Sequence, residues 1–199
     1  MLVLHYTDTR DTDEALAILT DPVAEVSCHY LIEEDGSIHR LVAEDRRAWH
    51  AGIATWRGQT DINSTSLGIE LVNPGHRYGL RRFPEAQMEA LLELAGSLIS
   101  WHDIPARNVV GHSDIAPDRK LDPGELFDWR WLAERGIGLW PEERIGGRMD
   151  MLSGYGYGPK PGVIAAFQRH FRPEKINGIA DGQTLARLAG LMELIAGSD

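Results

Sequence analysis

The sequence predicts an α/β fold, in which helices flank a central mixed β-sheet and a small three-helix domain follows at the C-terminus. Short apolar strand patterns alternate with helical patterns over residues 2–111. A stretch rich in Gly, Pro and charged residues follows at 136–147. Beyond it, Gly- and Pro-rich turns separate short helical patterns. We therefore expect one domain over residues 1–138, and a linker with a small helical domain over residues 139–199.

The first third of the chain predicts a strand, a helix, a hairpin and a loop. Residues 2–6 are an apolar strand, and residues 11–19 are a helix that begins with Asp11 and Glu14 at capping-box spacing. Asp35-Gly36 between two apolar runs predicts a hairpin with strands at 26–33 and 37–42. Residues 44–65 are rich in Trp, Gly and polar residues, which predicts a long surface loop of the kind that is often functional.

The remaining elements follow from periodicity and from Pro and Gly positions. Residues 67–72 predict a strand, and residues 109–111 predict a short strand that leads into His112. Pro84 opens the clearest helix, whose apolar stripe continues almost to His102. The tail predicts helices at 145–152, 163–171 and 182–195, with Asp181 as the N-cap of the last.

Composition excludes several classes of partner. The formal net charge of -10 would repel phosphate backbones, which excludes nucleic acid. No apolar run approaches the ~18–20 residues that span a bilayer.

The N-terminus has no basic region followed by a long apolar region, so the chain as written predicts a cytoplasmic protein; a start upstream of Met1 would permit a signal peptide and a periplasmic location. The single cysteine, Cys28, excludes an internal disulfide and lies in an apolar stretch that predicts a buried, inert thiol.

Three side chains predict a catalytic zinc site. His5 and His112 each end a short apolar strand, and ligands collect outside the carboxyl ends of strands in open α/β sheets. Pro123 favours an extended Asp122, so Lys120 and Asp122, two residues apart, should point into one pocket. Two imidazoles and a carboxylate suit zinc, and three protein ligands leave the fourth position for water.

Glu70 has two interpretations of equal weight at this level. It lies on the Gly68 face of its strand, inside an apolar run, where a carboxylate is costly unless it is paired or functional. One interpretation is a salt-bridged edge residue, and the other is a base that takes a proton from water at the metal.

Five stretches, in order along residues 2–132, resemble the zinc-dependent N-acetylmuramoyl-L-alanine amidases of the amidase-2 type, a group that includes peptidoglycan recognition proteins. The stretches are Leu4-His5-Tyr6-Thr7, Val26-Ser27-Cys28-His29-Tyr30, Ala48-Trp49-His50-Ala51-Gly52, Asn63-Ser64-Thr65-Ser66-Leu67-Gly68-Ile69-Glu70, and residues 111–124. The resemblance implies one Zn²⁺ per chain, held by the three residues named above. It also implies that Glu70 is the catalytic acid/base and that Lys120 stabilises the oxyanion.

The same resemblance assigns further residues and a substrate. Trp49, His50 and Asn63 would line the substrate groove, while His29 would be structural and the first alternative ligand. The expected reaction is hydrolysis of the amide between the lactyl group of N-acetylmuramic acid, or its anhydro form, and L-alanine of the stem peptide, with peptidoglycan or muropeptide fragments as partners. The alternatives are a non-catalytic muropeptide-binding module of the same fold, a zinc hydrolase acting on another amide, and a globular protein whose histidines form no metal site. The complete ligand set with Glu70 and Lys120 favours catalysis.

The tail resembles the three-helix peptidoglycan-binding domains. The resemblance lies in an apolar helix that contains Phe167-Gln168, a Gly178-Ile179-Ala180-Asp181 loop, and a helix that starts near Thr184. It implies that this unit binds cell-wall material.

Overall fold

The computed structural model describes residues 1–197 and builds them around one mixed β-sheet. Its strands are Leu2–Tyr6 (β1), Tyr30–Ile32 (β2), Ile38–Arg40 (β3), Leu67–Leu71 (β4) and Val109–Gly111 (β5). Their order across the sheet is β3-β2-β4-β1-β5, and every neighbouring pair is parallel except β2 with β3. The predicted α/β fold with a central mixed sheet is therefore confirmed.

The helices lie between the strands and after the last one. They are Thr12–Leu19 (α1), Ile62–Thr65 (α2), Gly75–Tyr78 (α3), Glu85–Trp101 (α4), His112–Ile115 (α5), Trp129–Ala133 (α6), Met151–Tyr155 (α7), Val163–Phe171 (α8) and Gly182–Ala196 (α9), with a 3-10 turn at Ala106–Asn108. Asp11 and Asp181 cap α1 and α9 by accepting hydrogen bonds from the backbone N–H groups of Glu14 and Thr184, as the sequence predicts. Within residues 1–197, no helix has the length and apolar character needed to cross a bilayer.

One face of the sheet packs on α4. Alternation along the strands places Leu4 and Ile69 on this face, where they are fully buried. The apolar stripe of α4 supplies Leu91 and Leu98, which belong to the same buried cluster. The apolar stripe predicted for the helix and the apolar face of the strands thus pack together in one core.

The opposite face of the sheet is covered by the 44–65 loop and by the C-terminal tail. Val3 and Val110 of the sheet share one buried cluster with Trp56 of the loop and with Phe167 and Phe171 of α8. The short helical tail, whose own core is small, therefore gains its apolar burial by packing as a layer on the sheet.

The Phe167-Gln168 pair of the tail is structural. Gln168 is fully buried, and its Oε1 accepts hydrogen bonds from the N–H groups of Asn177 and Gly178. Its Nε2 donates to the carbonyl of Ile179. This side chain thereby holds the loop between α8 and α9 in place.

Several predicted bounds are wrong, for local reasons. The first tail helix is α7, not residues 145–152, because Gly146 has φ +95° and Gly147 approaches the Leu185 carbonyl too closely for any side chain. The hairpin strands are shorter than predicted, since the chain before β2 pairs outside the hairpin: the Ser27 N–H donates to the Trp49 carbonyl. The predicted 44–65 loop contains α2. The domain boundary at residue 138 stays a prediction, and residues 198 and 199 of the predicted second domain lie outside the described residues.

Candidate active site

The three predicted ligands meet at the carboxyl edge of the sheet. Nδ1 of His5 lies 2.9 Å from Nδ1 of His112 and 2.9 Å from Oδ2 of Asp122, and the last two atoms are 3.0 Å apart. His5 ends β1, and His112 follows β5, its neighbour in the sheet. All three side chains are buried. The structure therefore brings the three together as a group able to hold a metal ion.

The protonation of His5 follows from a chain of hydrogen bonds behind it. The Ser66 hydroxyl donates to the Ile62 carbonyl at 2.6 Å, so its oxygen accepts from Nε2–H of His50 at 3.2 Å. Nδ1 of His50 is then a bare acceptor, and Nε2–H of His5 donates to it at 3.0 Å. This order leaves Nδ1 of His5 without a proton and with its lone pair directed at the site.

His112 and Asp122 are fixed in a comparable way. Nε2–H of His112 donates to the Ala51 carbonyl at 3.1 Å, which also leaves Nδ1 as the free lone pair. The N–H of Ser113 donates to the Asp122 carbonyl at 2.9 Å and ties the two ligand segments together. The backbone around the site thus presents two imidazole lone pairs and one carboxylate oxygen to a common point.

The donor set fits a zinc ion. Zn–N distances of about 2.0–2.1 Å put tetrahedral ligand atoms about 3.3 Å apart, close to the separations found here. Burial and the neighbouring His112 lower the pKa of His5 to about 4, so its imidazole is neutral at neutral pH. Although burial alone would raise it, the charges and hydrogen bonds of His112 and His5 lower the pKa of Asp122 below its usual range. Three electron-pair donors this close repel one another unless a cation lies between them.

Glu70 lies beside the predicted ligands, on the next strand of the sheet. Its Cα is the register partner of His5 across β1 and β4. Its Oε2 is buried, with no hydrogen-bond partner within residues 1–197. Burial, with the negative charge of Asp122, raises the pKa of Glu70 well above its usual value. A carboxylate in this state is not the salt-bridged edge residue of the first interpretation, and it is suited to exchanging protons.

A cavity of about 380 Å³ opens above these residues. Glu70, His112, Lys120 and Asp122 all line it, so Lys120 and Asp122 do point into one pocket, as predicted from their spacing. Trp49 lines its rim and is 55% exposed, which leaves an indole face available to a substrate. The positive charge of Lys120 lowers the pKa of both His5 and Glu70, which places its ammonium group within electrostatic reach of the site.

His50 and Asn63 have mainly internal contacts. His50 touches the cavity wall, but both of its nitrogens bond within the protein, to His5 and Ser66. Oδ1 of Asn63 accepts hydrogen bonds from the N–H groups of His50 at 3.1 Å and Ala51 at 2.8 Å, and Asn63 is not part of the cavity lining. Substrate contact by these two residues stays a prediction, and the geometry favours a positioning role for both.

His29 has the structural role that the sequence indicates. Its Nδ1 accepts a hydrogen bond from the Gly68 N–H at 2.9 Å, and its Nε2 donates to the Arg46 carbonyl at 3.1 Å. Both nitrogens are used, and His29 precedes β2 rather than lying within it. It is not a metal ligand in this arrangement.

Comparison with known proteins places the chain in a family. The family model described as N-acetylmuramoyl-L-alanine amidase matches residues 1–125. The chain belongs to this amidase family. The N-acetylmuramoyl-L-alanine amidase AmiD of Escherichia coli is 43% identical over 97% of this chain and 82% of its own length. The 1,6-anhydro-N-acetylmuramyl-L-alanine amidase AmpD of Escherichia coli is also 43% identical, but over 52% of this chain and 55% of its own length.

Two solved structures of relatives cover the tail as well. AmiD from E. coli, in complex with anhydro-N-acetylmuramic acid-L-Ala-D-gamma-Glu-L-Lys, superposes with a TM-score of 0.89 at 42% identity, covering 98% of this chain and 88% of that one. AMPDH3 from Pseudomonas aeruginosa, in complex with anhydromuramic pentapeptide, gives a TM-score of 0.88 at 34% identity, covering 98% and 91%. The fold of this amidase chain is therefore shared along almost its whole length.

Part of the amidase cavity wall was not expected from the sequence. The Tyr6 hydroxyl and Nδ1 of His76 are 2.8 Å apart, and both residues line the cavity. Arg119 donates through Nε to the Ile53 carbonyl at 3.0 Å and through Nη2 to the Ala51 carbonyl, which also accepts from His112. Tyr6 follows the predicted ligand His5 directly in sequence, which is a usable signal. Nothing local to His76 or Arg119 indicates these contacts.

Proposed function

We propose that this chain is a zinc-dependent amidase that hydrolyses the bond between the lactyl group of N-acetylmuramic acid, or its anhydro form, and L-alanine of the stem peptide. The observation that carries the proposal is the convergence of Nδ1 of His5, Nδ1 of His112 and Oδ2 of Asp122 within 3.0 Å, beside Glu70, whose Oε2 has no hydrogen-bond partner among residues 1–197. The substrate class rests on the amidase family and on the relatives whose structures hold anhydromuramyl peptides.

The proposed role of each residue follows from its position in the cavity. A bound zinc ion supplies Lewis acidity, which polarises a carbonyl and lowers the pKa of water. Glu70 accepts the proton of the attacking water and delivers it to the departing amine of L-alanine, a task that its raised pKa suits. Lys120 stabilises the negative charge that develops on the carbonyl oxygen, because its cation reaches this end of the cavity.

The geometry behind the ligands serves the same reaction. The Ile62–Ser66–His50 chain keeps His5 in the tautomer whose Nδ1 is free, and the Ala51 carbonyl does so for His112. Orientation of this kind raises the basicity of the ligand nitrogen and fixes its direction. A module that only binds muropeptide has no need of this donor set with Glu70 and Lys120 beside it, so we favour catalysis.

One experiment tests metal, bond and substrate size together. Purified sacculi and soluble anhydromuropeptides are incubated with the chain, with and without a chelator, and the products are identified by mass spectrometry. We expect free stem peptides beginning with L-alanine, formed only without chelator. His112→Ala should release none, while His39→Ala, which removes a histidine remote from the cavity, should behave as the parent. Intact substrate in every arm of the parent chain would refute the proposal.

The same products bear on location. Cleavage of soluble fragments alone supports a role in the cytoplasm. Cleavage of intact sacculi supports a periplasmic one.

A further inference from the structure

Asp114 is a buried carboxylate that the proposed chemistry does not use. It lies in α5, two residues after the ligand His112, and is only 1% exposed. Its Oδ2 accepts a hydrogen bond from the Gly111 N–H at 2.8 Å, which closes the turn that starts the helix. Burial of a carboxylate is costly unless hydrogen-bond donors satisfy it, so the origin of its other donors matters.

Those other donors come from the C-terminal tail. The hydroxyl of Tyr157 donates to Oδ1 of Asp114 at 2.6 Å, and Nδ1 of His170 donates to Oδ2 at 2.7 Å. Nε2 of His170 is buried without a hydrogen-bond partner in the described part of the chain, which is consistent with a proton on Nδ1 and a bare lone pair on Nε2. The tail thus supplies two of the three hydrogen bonds that the Asp114 carboxylate accepts among residues 1–197.

A second tail contact acts on the same segment. The His170 ring stacks on Trp129, with ring centres 3.8 Å apart. Trp129 in turn packs close to Gly111, where an added Cβ would lie 3.3 Å from its Cζ2 and 2.7 Å from Cδ of Pro123. The His170 imidazole thus packs on the Trp129 indole, and the indole packs on the backbone at Gly111. A shift of the turn toward Trp129 would therefore run into the indole.

The turn that Asp114 fixes carries one of the three predicted ligands and is hydrogen-bonded to the segment that carries a second. Gly111 precedes His112, and the Ser113 N–H donates to the Asp122 carbonyl at 2.9 Å. Displacement of the turn would move the His112 imidazole directly and the Asp122 carboxylate through that hydrogen bond. Ligand atoms need placement to within a few tenths of an ångström for tight zinc binding.

We propose that Tyr157 and His170 are positioning residues of the metal centre, which act through Asp114 to hold His112 and Asp122 in their ligating geometry. The inference rests on the zinc site proposed above. It gives the tail a role in the catalytic site itself, in addition to any contact with cell-wall material. Partners behind the ligands typically change metal affinity by about 10–100-fold when removed, and we expect an effect near the lower end because Asp114 acts through one intervening turn.

The test uses the full chain and separates the donated hydrogen bonds from packing. Tyr157→Phe and His170→Phe each remove a donor and keep a ring. His170→Asn keeps a donor near the Nδ1 position and removes the stacked ring. Tyr155→Phe is the matched control, since Tyr155 is equally buried in the same cluster and has no hydrogen bond to Asp114 among residues 1–197. The zinc dissociation constant is measured by chelator competition, and the thermal midpoint of the metal-free protein is measured beside it.

We expect Tyr157→Phe and His170→Phe to weaken zinc binding about tenfold, while Tyr155→Phe stays near the parent. His170→Asn keeps the donor but loses the ring stacked on Trp129, so it should lose less zinc affinity than His170→Phe. Zinc affinity that is unchanged in both donor-deleted variants would overturn the inference, as would an equal loss in Tyr155→Phe, which would trace the effect to stability. A parent chain that binds no zinc would instead refute the metal site itself. If either donor-deleted variant fails to fold, the other and the asparagine variant still decide the outcome.

Discussion

Gly68 leaves the space that the His50 imidazole occupies, so Gly68→Ala is expected to weaken zinc binding without touching a ligand. A Cβ at this position would lie 2.4 Å from Cγ and 2.7 Å from Nδ1 of His50. Carbon contacts are comfortable at about 3.5–4.0 Å, so the ring must move by about 1 Å. Nδ1 of His50 now lies 3.0 Å from Nε2 of His5, and this shift carries it beyond the usual hydrogen-bond range of about 2.7–3.2 Å.

The loss should appear in metal affinity and in stability. A ligand that loses its orienting partner binds metal about 10–100-fold more weakly, which corresponds to about 1.4–2.7 kcal/mol. Overpacking a core position costs about 1–3 kcal/mol in folding free energy. Chelator competition measures the first quantity, and denaturant unfolding of the metal-free chain measures the second.

A second glycine provides the matched control. An added Cβ at Gly96, inside α4, would meet Ile137 at an ordinary 3.9 Å. Gly96→Ala should therefore keep zinc affinity and raise stability by about 0.5–1 kcal/mol, because glycine is unfavourable inside a helix. Folded Gly68→Ala that holds zinc as tightly as the Gly96→Ala protein would refute the reasoning.

Three further predictions concern individual side chains. Glu70→Gln should keep stoichiometric zinc and lower kcat by about 10²–10⁴-fold; normal turnover in a steady-state amide assay would remove Glu70 from the mechanism. Lys120→Met should lower kcat by about 10²–10³-fold with zinc content unchanged, and an effect on KM alone would instead indicate a substrate-binding role. Burial raises the pKa of the Cys28 thiol well above its usual value, so iodoacetamide should label it in denaturant and leave it unlabelled in the native chain, as intact mass would report; rapid native labelling would contradict this.

The sequence predicted those parts of the molecule that depend on local periodicity and on strand ends. The apolar stripe after Pro84 corresponds to α4, and the apolar run of residues 67–72 corresponds to β4. His5 and His112 could be placed at one edge because parallel strands end there together. The spacing of Lys120 and Asp122 correctly placed both in the cavity. Each of these inferences needs only a few consecutive residues.

The contacts that could not be predicted join residues far apart in the chain. His50 and His5 are 45 positions apart, and no pattern within the 44–65 loop indicates that the imidazole turns inward. His170 and Asp114 are 56 positions apart, in segments that the sequence assigns to different domains. The helix predicted at 145–152 is wrong for a different reason. The close approach of Gly147 to the Leu185 backbone prevents a helix there, despite the helical propensity of the segment. Tertiary packing decides such cases, and it is not encoded locally.

The continuous apolar layer between the sheet and the tail fixes the position of the tail, which limits how this amidase can bind a polymer. A binding module on a flexible linker can bind a polymer in many orientations relative to the catalytic domain. The gain in affinity then depends on the effective concentration that the linker sets. Here Phe167 and Phe171 are wholly buried with Val3 and Val110 in one cluster, so the tail has no such freedom. Anything that the tail grips is held at a set distance and angle from Glu70. A cell-wall strand that contacted both the tail and the cavity would therefore present to Glu70 only the bonds that this fixed geometry allows.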